Sequence, residues 1–500
     1  MGTDALDPAR SHQPGKAIAS IALNALYIAG GRGLTNAVRF VYSIVLARKL
    51  GPELYGLYNY GMSWYLAFLP MAGIGLSFLL SREVGRNRAN GPRVVAQTLL
   101  VRVIVNVAVF AVSIIAGLLL ETNPQARLLL VIFSFALVGR SLSTWSEQVF
   151  TAFETSKYYL LQQALFRPLE VICGMLALYA GGGVVAVTAI HAIVWWLESV
   201  CGVYWVCRRM VRVQWDGVGL GLGSVFLHGF HLGIGLLLVN WLQQGPVVLF
   251  RHVGADQGSL GQLALAMQVF MVLYFFPIAA GTAALPVLSR SAERQDGMDL
   301  RFARTMLKAG TVLETAAGLI GMAVGPWLVK TIFGIRYETA GHVAVLVVWL
   351  LIPWTCGDTL YRLQLARGKF ILSSACAAVG AAVFTLTMSW LVSLFNASGA
   401  VLAAGLGMAA WAALSILTFR QKAELDLGRT VYRPLALAFA SVTVTLALNY
   451  VSVWLALPAG LLALFGGVFL AGVTTREERQ TLWSVIRPHS RTIRTEKAAE

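Results

Sequence analysis

The sequence predicts an all-α polytopic membrane protein of about fourteen transmembrane helices, and three observations carry that reading. Of 500 residues 57% are hydrophobic and 12% charged, with a mean hydropathy of +0.71, whereas about a quarter of a soluble domain is charged. Apolar runs of about 20 residues, enough to cross about 30 Å of hydrocarbon, recur from end to end. The Lys and Arg residues gather in alternate connections, as they do when basic loops stay on the cytoplasmic side.

The polar N-terminal stretch MGTDALDPARSHQPGK shows neither the apolar core nor the small-residue cleavage site of a signal peptide and is expected to remain as a cytoplasmic segment. The spans are expected near 24–48, 58–80, 94–120, 126–150, 160–180, 184–206, 226–250, 262–288, 305–333, 341–361, 371–394, 399–419, 433–451 and 455–473. With the N-terminus inside, 28 of the 39 Lys and Arg residues fall in inward segments and six in outward ones. The remaining five, Arg32, Arg39, Arg102, Arg140 and Arg167, fall inside spans. Both termini are therefore expected in the cytoplasm, and most of the +16 net charge sets orientation rather than nucleic-acid binding. The 49 glycines suit close helix packing in lipid. The five cysteines, Cys173, Cys201, Cys207, Cys356 and Cys376, lie in or beside apolar runs without CxxC spacing, so neither a disulfide framework nor a metal site is expected.

The halves echo each other. LGPELYGLYNY (Leu50–Tyr60) precedes a span ending in SREVG at Ser81, and VGADQGSLGQL (Val253–Leu263) precedes one ending in SRSAE at Ser289. Pro70 and Pro277 sit at similar offsets from those ends. The expected organisation is a cytoplasmic N-terminus (1–23), a six-helix lobe (24–216), a second, pseudo-repeated six-helix lobe (217–424), two appended helices (425–473) and a basic cytoplasmic tail (474–500). Transporters built from repeats hold their substrate path between them.

Polar stripes cross several spans. Arg32, Asn36, Arg39 and Ser43 recur at i, i+4, i+7 and i+11, one helical face. Arg39 precedes Arg48 by nine residues, about 13 Å along a helix. A charge at that depth costs about 3 kcal/mol or more unless it faces protein or water. In the fourth span Arg140, Thr144 and Glu147 share a face; in the fifth Gln163, Arg167 and Glu170 do; in the seventh Asn240, Gln244 and Arg251 do. Glu198, Glu314 and Asp358 lie deep in the sixth, ninth and tenth. The cavity candidates are thus Arg32, Asn36, Arg39, Arg140, Glu147, Arg167, Asn240, Gln244 and Arg251, with Glu170 and Glu198 as ion-coupling candidates. Blander readings stay open: Arg32 could snorkel to the inner surface, and Arg140–Glu147 and Arg167–Glu170 could be structural pairs. Arg102 is expected to snorkel, Asp358 and Arg362 to pair locally, and His228 and His231 to be hydrogen-bonded helix residues. An arginine-bearing surface mixed with amides and hydroxyls suits a large anionic, hydroxyl-rich substrate, because guanidinium grips phosphate without losing its proton.

LARKLGPELYGLYNY with GIGLSFLLSREVGR, then TAFETSKYYLLQQALFRPLEV, FFPIAAGTAALPVLSR, IFGIRYETAGHVAVLVVWLLIP and LQLARGK, resemble in order the landmarks of Wzx-type oligosaccharide flippases. Those flippases share the MOP superfamily with the peptidoglycan-precursor flippase MurJ and the MATE exporters. The resemblance implies two six-helix lobes in a V and a cationic cavity lined largely by spans 1, 2, 7 and 8. Arg32 and Arg39 are the matching candidates in the first span. It further implies transfer of an undecaprenyl-diphosphate-linked oligosaccharide repeat unit between leaflets of the bacterial inner membrane by alternating access. This chain departs by offering Asn240, Gln243 and Gln244 where family members often carry a mid-span charge, and by placing its first-span arginines differently from MurJ-like sequences. Two rivals remain: a MATE-like drug or metabolite antiporter, which would want a carboxylate-lined cavity, and an integral-membrane polymerase or glycosyltransferase on the same lipid. No cofactor is expected; driving energy would come from an H+ or Na+ gradient, membrane potential or downstream consumption. Expected partners are the lipid-linked oligosaccharide, membrane lipids and polysaccharide polymerase or export proteins.

Overall fold

Gly51 breaks the first long helix. Its φ of 75° and ψ of 172° lie where only glycine sits without strain, and Pro52 follows it. The first two expected spans therefore run as one element, α1 (Pro14–Gly73), bent at that point. The computed structural model describes residues 14–474 except 77–79, 81–82, 85–86, 216–218, 220–221, 254–256, 295–296, 420–424 and 451. The start of the expected N-terminal segment, the basic tail from 475 and parts of both echo motifs (Ser81, Arg82, Gly85, Gly254, Ala255 and Asp256) lie outside the described residues.

Helices follow in order: α2 (Gly91–Leu120), α3 (Pro124–Ala152), α4 (Lys157–Tyr179), α5 (Val184–Trp205), α6 (Leu222–His252), α7 (Gln257–Arg294), α8 (Met298–Phe333), α9 (Glu338–Trp349), α10 (Leu351–Ala366), α11 (Phe370–Thr418), α12 (Arg433–Asn449) and α13 (Val453–Leu470). Local signals place several ends. Pro124 opens α3, where Asn123 Oδ1 accepts the Ala126 amide at 3.0 Å. Asn396, at φ 50°, bends α11 between the eleventh and twelfth expected spans. Each of the fourteen expected segments falls mainly on helix over its described residues. Among the described residues nine helical segments are long and apolar enough to cross a membrane. Helices α1 and α4, which carry Arg32, Arg39, Arg167 and Glu170, are not among the nine. Leu119, Leu386 and Phe439 are 77%, 80% and 77% exposed, as suits side chains meeting lipid rather than water. This is a multi-pass membrane protein.

The chain forms two compact units. The first holds the described residues up to Val272 with Leu328–Val343 and Phe370–Trp411; the second holds Leu273–Trp327, Ala344–Lys369 and the described residues from Ala412 on. In the first, α3 runs along α5, and α1 packs on α3, α4 and α6. Lipid tails offer no hydrophobic drive between helices, so close approach and polar bonds hold them. At Gly139 a Cβ would stand 3.0 Å from the Trp195 and Trp196 backbone, which is why α3 and α5 can nearly touch there. Trp145 is fully buried and donates to Thr98 Oγ1 at 3.1 Å. In the second unit Glu314 of α8, 6% exposed, accepts from Thr355 of α10, and the expected Asp358–Arg362 pair forms at 2.8 Å.

Arg102 corrects an expectation. It does not snorkel: it is 1% exposed, and its Nη1 and Nη2 reach the carbonyls of Ser141 and Gly73 at 2.7 and 3.3 Å. Gly73 ends α1, where carbonyls lack intrahelical partners, so an inward guanidinium satisfies backbone that lipid could not.

Candidate functional site

The first unit gathers a cluster of charged side chains between α1, α3, α4 and α5. From α1 come Arg32 and Arg39, from α3 Arg140 and Glu147, from α4 Arg167 and Glu170, and from α5 His191 and Glu198. Arg167, 1% exposed, is paired to Glu170 at 2.5 Å and to Glu198. Glu170 also accepts from His191 Nδ1 at 2.5 Å. Glu198, fully buried, accepts from Ser143 Oγ at 3.0 Å. Gln163 links two helices to this centre, accepting from Thr35 Oγ1 at 2.8 Å and donating to Glu147 Oε1 at 2.5 Å. Arg32 lies within electrostatic reach of Glu147 and of the Tyr159 hydroxyl.

Trp195 is the centre of the cations. The guanidinium carbons of Arg167, Arg140 and Arg39 stand 3.9, 4.8 and 5.5 Å from its ring centroid. The ring quadrupole attracts each by about 0.5–2 kcal/mol, the more so out of water. Arg140 also donates to Tyr65 Oη at 2.6 Å. Arg39 makes no ion pair among the described residues and instead lines a cavity of about 210 Å³. Around it stand Tyr42, Tyr55, Tyr58, Asn59, Gln243 and Gln268, along with Glu170 and Gln244. Tyr55, Tyr58, Asn59, Met62, Ser63 and Leu66 reach the cavity because they recur on one face of α1 beyond its bend. The lining is thus one cation, one already neutralised carboxylate, amides, hydroxyls and aromatic rings, with aliphatic and thioether side chains such as Leu46, Met62, Val247 and Met271 between them.

The sequence-selected residues divide into groups. Arg32, Arg39, Arg140, Glu147, Arg167, Glu170 and Glu198 come together, and Gln244 joins them through the cavity. Asn36 is exposed on α1. Asn240 donates to the Leu66 carbonyl at 2.7 Å, tying α6 to α1. Arg251 lies apart, gripping Glu121 at 3.0 and 3.2 Å from the end of α6. Burial opposes the charge on Glu121, but the Arg251 hydrogen bond and charge and the Thr122 and Asn123 amides hold its carboxyl below its ordinary value of 4.5. His191, Trp195, Tyr65 and Tyr42 were missed. A signal existed for two of them: His191, Trp195 and Glu198 fall at i, i+4 and i+7 on α5, the same periodicity that exposed the arginine stripes. Among the described residues no three His, Cys, Asp or Glu side chains converge as a metal site.

The fold of this multi-pass membrane protein is shared by solved structures. Lipid II flippase MurJ, in an inward closed conformation, is similar at 12% identity and a TM-score of 0.65, covering 90% of this chain and 98% of that one. An inward-facing multidrug resistance MATE family transporter of the MOP superfamily is similar at 14% identity and a TM-score of 0.63, covering 79% and 96%. A MOP superfamily transporter from Pyrococcus furiosus, described as having a binding pocket of reverse polarity, is similar at 13% identity and a TM-score of 0.63, covering 82% and 96%. No curated protein sequence matches the chain. A family model described as polysaccharide biosynthesis protein matches residues 21–292, more than half of the chain, and the protein belongs to that family.

Proposed function

We propose that the protein is a flippase that carries an undecaprenyl-diphosphate-linked oligosaccharide repeat unit from the cytoplasmic to the periplasmic leaflet of the bacterial inner membrane, by alternating access, for surface or exopolysaccharide synthesis. The observation that carries this reading is Arg39, without an ion pair among the described residues, lining a cavity whose other polar groups are amides, hydroxyls and the already paired Glu170. Guanidinium beside neutral donors and acceptors suits a diphosphate joined to sugar. The excess of Lys and Arg in alternate connections supports cytoplasmic termini.

An antiporter of cationic drugs is less well supported, because the carboxylates here are already engaged: Glu170 by Arg167 and His191, Glu198 by Arg167. A polymerase or glycosyltransferase is less well supported too, because the cavity hydroxyl of Ser43 donates to its own helix at Phe40 O, 2.9 Å away, rather than to a base. The discriminating experiment uses proteoliposomes in two assays. Leaflet transfer of a fluorescent undecaprenyl-diphosphate oligosaccharide without gradient-driven uptake of cationic dyes is the expected result; the reverse pattern would favour the antiporter.

A further inference from the structure

We propose that His191 is a proton-binding site whose protonation unseats Trp195 and thereby couples proton binding to anion binding at the arginines. This deepens the flippase reading and rests on it for the identity of the anion.

His191 is 1% exposed and enclosed on every side. The titratable and charged groups that face it are Tyr65 and Arg39 from α1, Arg140 from α3, Glu170 and its partner Arg167 from α4, and Glu198 beyond Trp195 on its own helix. Its two ring nitrogens have different partners. Nδ1 stands 2.5 Å from Glu170 Oε1. Nε2 stands 3.1 Å from Trp195 Nε1 and 3.1 Å from Tyr65 Oη. An indole N–H can only donate, so Nε2 must accept and carries no proton. The ring proton is therefore on Nδ1, donated to the Glu170 carboxylate. Tyr65 fits the same assignment: its oxygen receives Arg140 Nη1 at 2.6 Å, so its own proton can share the single Nε2 lone pair with the indole N–H.

This packing is that of the neutral imidazole alone. A second ring proton, on Nε2, would set two N–H groups against each other at the Trp195 contact and force Tyr65 to turn its proton away. Trp195 would lose its partner, and its ring is the surface on which Arg167, Arg140 and Arg39 lie. Arg39, on the Trp195 ring, and Glu170, on His191 Nδ1, both line the cavity. Proton uptake therefore changes the footing of the cations that meet the substrate and adds one positive charge beside them. The imidazolium and the anion attract, so each favours the binding of the other, and linkage makes that coupling reciprocal.

The test measures binding of a farnesyl-diphosphate-linked sugar, a diester whose phosphates do not titrate between pH 8 and 6, to the purified full chain in nanodiscs over that range, alongside 15N spectra of the histidine-labelled protein. Wild type is expected to bind more tightly as pH falls, by at most about tenfold per pH unit for one linked proton. H191Q can still accept from Trp195 and donate to Glu170 but cannot titrate; it is expected to bind with a Kd that varies little over the range. H191A, which loses the Trp195 contact altogether, is expected to bind weakly at every pH. Wild-type pH dependence retained in H191Q, or a wild-type Kd indifferent to pH, would overturn the proposal. If wild type binds no diphosphate, the flippase reading fails first, and the 15N spectra still decide the proton site. A titrating resonance absent from H191Q supports it, and none overturns it.

Discussion

Arg39 and Arg167 show how two arginines in one site do different work. Arg167 is sealed between two carboxylates and a tryptophan face, so Arg167→Met should leave Glu170 and Glu198 buried without their counter-charge. Breaking a buried pair from one side costs about 3–5 kcal/mol; the expected outcome is a marked loss of folded yield and a lower unfolding temperature in detergent. Arg39 has no carboxylate ion-pair partner among the described residues, so Arg39→Ala should keep wild-type abundance and melting while weakening transport at least about tenfold, with Arg39→Lys retaining a part. Glu121 gives a pH signature. Its folded carboxyl sits below the ordinary 4.5, so its contribution to stability is present above that value and is lost as pH falls through the folded one. Unfolding temperature should therefore decline in acid, and Glu121→Gln should remove that part of the decline. The charged stripes were legible from spacing alone, because a cation in lipid has few cheap places to be. The fates of Arg102 and Arg251 were not, because each is decided by a partner distant in sequence: the carbonyls of Gly73 and Ser141, and the carboxylate of Glu121.

At the scale of elements, α1 does most to build the site, since its two segments present a charged stripe and a tyrosine–amide stripe on either side of Gly51. Thiol labelling tests that geometry. With single cysteines and an impermeant reagent, positions 39, 43 and 59, which line the cavity, should react and position 41, which does not, should not. The approach of α7 to α1 is equally specific: a Cβ at Gly261 would run into the Pro52 carbonyl oxygen, which is backbone and cannot give way. Gly261→Ala should therefore destabilise the first unit by about 1–3 kcal/mol, read as a lower unfolding temperature. Helix positions could be read from apolar run length, and the fourteen expected segments fall mainly on helix over their described residues. The continuity of α1 through residue 51 and of α11 through 396 could not, because a glycine or asparagine at a boundary marks a bend as readily as a loop.

For the whole molecule, composition and hydropathy suffice to reveal a multi-pass helical protein, and the ordered landmarks suffice to reveal its family. What they leave out is the inner half of the site. His191 and Trp195 look like unremarkable residues of an apolar helix until α1, α3 and α4 close around them, at which point they become the contacts that organise three arginines. The most direct measurement of the central claim is leaflet transfer of a fluorescent undecaprenyl-diphosphate oligosaccharide in proteoliposomes, comparing wild type with Arg39→Ala at equal incorporation. Rapid transfer by wild type and transfer slowed at least about tenfold by the variant is the predicted result. Equal transfer by both proteins would contradict the assignment of the arginine-lined cavity as the substrate site.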